Sequence, residues 1–216
     1  MTRYLTIFLL TFFIGGCAST LSEPQDRKHS PEGFAYLTYN HKTSDASRVE
    51  VMVFFGYQCP HCFKFYTDEL ANWMATAPKD VNVVLVPVVW TPTVIPSTRA
   101  FHVAELLGKN PKFHGALFAA FQAHDIDLTT ETAVGNFAAS CCSIDKLQFK
   151  TIYESSAVDQ MISHDESMLK EYNIGGTPSV IVNAKYYVSP ETINGGKLID
   201  VIDTLVKRER GNIAPR

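Results

Sequence analysis

The residues with the most chemistry to offer in this chain are its five cysteines. Cys17 stands near the N-terminus, Cys59 and Cys62 bracket the tetrad Cys59-Pro60-His61-Cys62, and Cys141 and Cys142 are adjacent. A Cys-x-x-Cys spacing serves a redox disulfide, half of a metal site or a structural bridge. The adjacent pair has three options of its own: free thiols acting as small apolar residues, a local disulfide closing an eight-membered ring, or a crosslink between molecules. The sequence leaves that second choice open.

The elements around Cys59 and Cys62 narrow the first choice. Val49 to Phe55 is rich in β-branched and aromatic residues with only Glu50 charged, which predicts a buried strand. Gly56-Tyr57-Gln58 breaks it. Beyond the tetrad, Cys62, Tyr66, Leu70 and Trp73 share one helical face. Pro60 suits the first helical position, where a missing N–H costs nothing. Cys59 therefore stands at a helix N-terminus, where free N–H groups and the macrodipole favour a thiolate. His61, between the cysteines, can add a positive charge or a hydrogen bond to that sulfur. Cys62 lies one turn later on the buried face. The asymmetry makes Cys59 the attacking thiol and Cys62 the resolving one.

Phe54-Phe55 followed by Cys59-Pro60-His61-Cys62-Phe63 resembles the active-site segment of the DsbA family of periplasmic disulfide oxidases, whose usual tetrad is Cys-Pro-His-Cys. Gly175-Gly176-Thr177-Pro178-Ser179, ahead of the apolar Val180-Ile181-Val182, resembles the cis-proline loop of the thioredoxin superfamily. The resemblance implies a cis bond at Pro178 and a Thr177 backbone exposed beside Cys59, able to pair with an extended substrate segment. It implies that Cys59, Pro60, His61 and Cys62 are catalytic and that Thr177 and Pro178 contact substrate. Unfolded or partly folded exported proteins are the implied substrates, and a DsbB-like membrane protein is the implied reoxidising partner. No cofactor and no metal are called for. Many DsbA proteins carry a buried glutamate two residues before the second phenylalanine of this strand; here Val53 occupies that position, so protons for Cys62 must come through water or another group.

The remaining pattern predicts strands near residues 34–39, 81–89, 179–182 and 185–188, a long helical stretch over about 97–172, and a closing helix over about 198–207. Within the helical stretch, Pro111 opens a helix with Phe113, Leu117 and Phe121 on one face. Ser143 is expected to cap a helix beginning at Ile144. His102, His114, His124 and His164 are expected on helix surfaces. The fold class is α/β, a thioredoxin fold interrupted by a helical insertion: residues 34–92 and 173–210 form the thioredoxin domain, and 93–172 form the insertion.

The N-terminus carries an address. Arg3 precedes an apolar run from Tyr4 to Ile14, then Gly15-Gly16-Cys17. These are the parts of a secretory signal, and Ile14-Gly15-Gly16-Cys17 resembles a bacterial lipobox. Residues 1–16 are then a lipoprotein signal peptide, Cys17 is acylated, and polar residues 17–33 form a flexible tether to the inner or outer membrane. The chain of 216 residues has room for one domain carrying an insertion. Its net charge of −3 argues against nucleic-acid binding, and no apolar run reaches the roughly 18 residues of a spanning helix.

Three other readings compete. A disulfide isomerase or reductase would use the same pair kept reduced by a membrane partner. A metal-binding lipoprotein would combine Cys59 and Cys62 with His61 or His102, but no second Cys-x-x-Cys or His-x-x-x-His spacing supports it. A redox-inert binding protein on the same scaffold would not need both cysteines.

Overall fold

The computed structural model describes residues 25–29, 35–39, 41, 43, 45–123, 126–193 and 195–213. Cys17, the signal segment and His124 lie outside the described residues. Strands β1 (Gln25–His29), β2 (Ala35–Thr38), β3 (Val49–Phe55), β4 (Val81–Pro87), β5 (Ser179–Val182) and β6 (Tyr186–Val188) form a sheet of order β1-β2-β6-β5-β3-β4. β3 runs parallel to β4 and antiparallel to β5, with Val53 opposite Val180 and Met52 opposite Ile181. Both central strands are covered on two faces, which explains their nearly uninterrupted apolar sequence.

Strand alternation divides the core. Val49, Val51 and Val53 pack with Phe65 and Leu70 on one face, where Ile202 and Leu205 of the closing helix α8 (Leu198–Asn212) join them. Met52 and Phe54 point to the other face and meet Met168, Tyr172 and Ile174. After β3 the chain enters α1 (Pro60–Phe65), a π-helical turn over Tyr66–Leu70 and α2 (Ala71–Thr76). The π turn is not visible in the apolar spacing, because Cys62 before it and Leu70 at its end both stay buried.

Between β4 and β5 lie α3 (Ile95–Leu106), α4 (Asn110–Ala123), α5 (Glu131–Cys142), α6 (Lys146–Tyr153) and α7 (Ser156–Glu171). Their core includes Phe101, Phe113, Leu117 and Phe118, and it extends to Phe55, Tyr57 and Cys62 at the end of the sheet. Cys62 thus sits where the two halves of the fold meet.

Four expectations are corrected. Part of the segment read as a tether forms β1, which pairs with β2; a polar edge strand is held by backbone hydrogen bonds and needs no apolar side chains. Ser143 does not start a helix. It adopts a left-handed conformation, φ 53°, and its N–H closes α5 on Ala138 and Ala139. Asp145 caps α6 instead, accepting from the Gln148 N–H at 2.9 Å. His102 and His114 are buried, not on the surface. α3 is packed against α4, α5, α6 and α7, so it has no broad solvent face, and α4 turns His114 toward Phe55, Tyr57 and Tyr66.

Candidate active site

Cys59 is the N-cap of α1, with extended backbone geometry. Its sulfur takes the role an oxygen usually plays there, accepting from the Cys62 N–H at 3.3 Å. Pro60 occupies the first turn, as its fixed φ favours. The sequence therefore places one sulfur at the rim and the next, one turn on, in the core. Cys59 is half-buried and Cys62 is 2% exposed, and both are free thiols.

From the other half of the fold, the loop before β5 closes over this point. The Thr177–Pro178 peptide is cis, and Cys59 Sγ lies 3.4 Å from the Thr177 carbonyl, to which it donates when protonated. Loop and tetrad are 118 positions apart in the chain; the pairing of β3 with β5 brings them together.

These contacts divide the two thiols electrostatically. The Cys59 thiol falls from an ordinary 9.0 to about 5. The largest cause is a hydrogen bond from the Cys62 thiol, which partial burial opposes and which the Cys62 N–H, Thr177 and the His61 backbone N–H reinforce. The Cys62 thiol is pushed far up, first by that same hydrogen bond to Cys59 and then by burial. The favoured state is a Cys59 thiolate held by a protonated Cys62. His61 contributes through its backbone; its imidazole is exposed and makes no hydrogen bond among the described residues.

Beside Cys59 lies a groove of about 240 Å3 lined by Gly56, Gln58, Val88, Trp90, Val94 and Thr177. Trp90 is 54% exposed there. Neither Trp90 nor Val94 carries a motif, so sequence reasoning missed them; the one signal was an aromatic residue just after an apolar strand. Tyr66 and His114 lie beside Cys62; the helical period put Tyr66 on the same face as Cys62, but nothing in the sequence placed His114 there. At the C-terminal end of α5, Cys141 and Cys142 are joined by a disulfide. Among the described residues no cluster of three or more His, Cys, Asp or Glu side chains is arranged to hold a metal ion, and no helix is long and apolar enough to cross a membrane.

Comparison with known proteins agrees with this geometry. The thiol:disulfide interchange protein DsbA of Burkholderia cepacia is 31% identical over 167 residues, covering 77% of this chain and 78% of that protein. Its namesake from Pseudomonas syringae pv. tomato is 29% identical, covering 90% of this chain and 89% of the relative. The crystal structure of Pseudomonas aeruginosa DsbA superposes with a TM-score of 0.75 at 26% identity, covering 82% of this chain and 93% of that one. Residues 50–207, which hold the tetrad, the insertion and the cis-proline loop, match the DSBA-like thioredoxin domain, and the chain belongs to that family.

Proposed function

We propose that this protein is a thiol:disulfide oxidoreductase that introduces disulfide bonds into exported proteins, with Cys59 exchanging and Cys62 resolving. The observation that carries the reading is the division of the pair: one half-open sulfur favoured as a thiolate, one buried sulfur favoured as a thiol. In the oxidised enzyme, a substrate thiolate attacks Cys59 Sγ. The Cys59–Cys62 bond breaks, its electron pair leaves on Cys62, and a mixed disulfide forms. A second substrate thiolate then attacks the substrate sulfur of that bond and expels Cys59 as a thiolate. Two electrons have passed from the substrate thiols to the enzyme. A low-energy Cys59 thiolate makes it a good leaving group, which favours donation of the disulfide.

Thr177 offers its backbone to an extended substrate segment, as in strand addition, and the groove at Trp90 and Val94 gives apolar side chains a place to lie. Pro60 fixes the start of α1, and His61 supplies a backbone N–H to the thiolate. A DsbB-like membrane protein would reoxidise the pair through the same face. The site of action is the periplasm, with acylated Cys17 as the anchor; labelling with a radioactive fatty acid, lost in Cys17→Ser, tests that part. The division of the two thiols favours an oxidase over an isomerase or reductase.

The function is tested by trapping. In Cys62→Ser loaded with glutathione at Cys59, the thiolate of a reduced, unfolded exported protein bearing one thiol should attack Cys59 Sγ, displace glutathione and accumulate as a mixed disulfide, while Cys59→Ser should form none. Adducts that form equally well without Cys59 would overturn the assignment.

A further inference from the structure

A cavity of about 410 Å3 opens between α2, β4 and the corner where α3 gives way to α4, at the junction of the thioredoxin half and the insertion. Cys59, Trp90 and Thr177 border the groove on the exchange face and are not among the residues that border this cavity. Its walls are mostly apolar: Met74 from α2, Val83 and Leu85 from β4, and Pro111 from α4. Small-molecule sites have this size and character, favour such junctions, and add a few polar groups that orient the ligand. Here those groups are Tyr66, Glu105, Asn110 and His114.

Each of the four has hydrogen-bonding capacity that the fold leaves unused. Asn110 Oδ1 is buried and has no partner among the described residues, a deficit that native folds rarely tolerate. His114 is 1% exposed; its Nδ1 lies 2.9 Å from the Tyr57 hydroxyl, and its Nε2 makes no hydrogen bond to a described residue. The Tyr66 hydroxyl makes none either among the described residues. Glu105 meets His102 Nδ1 through Oε2 at 3.1 Å, which leaves Oε1 without a described partner.

The charge on this wall is negative. No lysine or arginine is among the residues that border the cavity, and burial holds the His114 imidazole neutral, its pKa lowered to about 3. His102 is shared between Glu105 and Asp165, the latter at 2.7 Å, so even a protonated imidazole leaves these three groups with a net negative charge. An apolar chamber with one carboxylate and an unpaired amide oxygen suits an apolar body that ends in N–H donors. An ammonium group brings three donors and no acceptor. A carboxylate ligand would meet Glu105 with like charge and leave Asn110 Oδ1 unpaired.

We propose that this cavity is a second binding site, taking small amphipathic amines: molecules with an aromatic or aliphatic body and one protonated amino group. The body lies against Met74, Val83 and Leu85. The ammonium donates to Asn110 Oδ1 and to the Glu105 carboxylate, and Tyr66 and His114 supply the remaining polar contacts. Cys59 takes no part, so the site does not depend on the exchange proposed there.

Three ligands with one body and different polar ends test the assignment: 3-phenylpropylamine, 3-phenylpropan-1-ol and 3-phenylpropanoate. Each is titrated near neutral pH into the full-length protein and followed by methyl NMR. Met74, Val83 and Leu85 report on the cavity; Val88 and Val94 report on the groove at Cys59. The amine should bind with a Kd of about 1 mM, as expected of so small a ligand. It should bind about fivefold tighter than the alcohol, since Glu105 is partly solvated, and the carboxylate should be weakest. Glu105→Gln keeps an acceptor for His102 and should remove the advantage of the amine while leaving the alcohol unchanged. Ala71→Leu, which fills the cavity from α2, should weaken the amine and the alcohol by at least about tenfold, and it serves if Glu105→Gln does not fold. Alkylating Cys59 with iodoacetamide, which abolishes exchange, should leave the titrations as they were. Shifts confined to Val88 and Val94, equal binding of all three ligands, an amine advantage that survives Glu105→Gln, or loss of binding on alkylation of Cys59 would overturn the site.

Discussion

Replacing Cys59 with serine in the reduced protein removes a thiolate that the fold favours, so the effect on stability should depend on pH. The thiol drops from 9.0 to about 5. Taken whole, that drop corresponds to about 5 kcal/mol between the two protonation states. Solvent reaches one side of the half-buried sulfur, and screening reduces the figure to about 2–3 kcal/mol. The folded value lies below the unfolded one, so the stabilisation is complete above about pH 9 and is lost as pH falls through about 5. At pH 7 about half remains, or roughly 1–1.5 kcal/mol. That is about 2–6 °C in melting temperature for a domain of this size. Urea unfolding of reduced wild type and Cys59→Ser, both with Cys62 intact and excess reductant, measures it from pH 5 to pH 9. Wild type should gain steadily on the variant, by about 2–3 kcal/mol across the range. A difference that is flat with pH, or that grows on acidification, would refute the claim that this fold stabilises a Cys59 thiolate.

Other positions give independent checks. Thr177→Val removes one of the groups that lower the Cys59 thiol, so the pH midpoint of iodoacetamide alkylation should move up, by about one pH unit if a hydrogen bond to a charged group is lost. Glu209 is 1% exposed and accepts from Asn183, Lys185, Tyr186 and Asn212; Glu209→Ala removes the acceptor of four donors and should cost about 3 kcal/mol in urea unfolding. Burial pushes His102 down, but hydrogen bonds to Asp165 at 2.7 Å and to Glu105 raise it above 6.5 on balance. The Asp165 pair therefore stabilises below about pH 6.5 while the Asp165 carboxylate, itself raised by burial, stays ionised, and less as pH rises through the raised His102 value. Asp165→Asn should cost about 2 kcal/mol at pH 6, with the gap narrowing by pH 8.

What the sequence made legible was local chemistry and period. β3 and the start of α1 follow from an apolar run ending at Gly56 and a proline at the first helical position, and β5 falls on residues 179–182 as expected. What stayed hidden depends on distant parts of the chain. No local signal pairs His114 with Cys62, because only docking of α4 onto the end of β3 brings them to one cavity. His102 and His114 looked like surface residues because a helix packed on several sides loses the polar face that periodicity detects. Gln25–His29 looked like tether because an edge strand is held by its backbone. At Asn183-Ala184 both residues have positive φ, 53° and 56°; the turn was legible, but its hand was not, since alanine rarely adopts it.

The central claim is that Cys59 and Cys62 form a pair poised to give its disulfide away, and its redox equilibrium tests that most directly. With Cys141 and Cys142 changed to serine so that one pair reports, the oxidised fraction is measured across glutathione buffers of defined potential. The account predicts a value well above the roughly −270 mV of thioredoxin and toward the roughly −120 mV known for DsbA. A potential at or below about −270 mV would mean that the pair holds its disulfide too tightly to donate it, and would contradict the account.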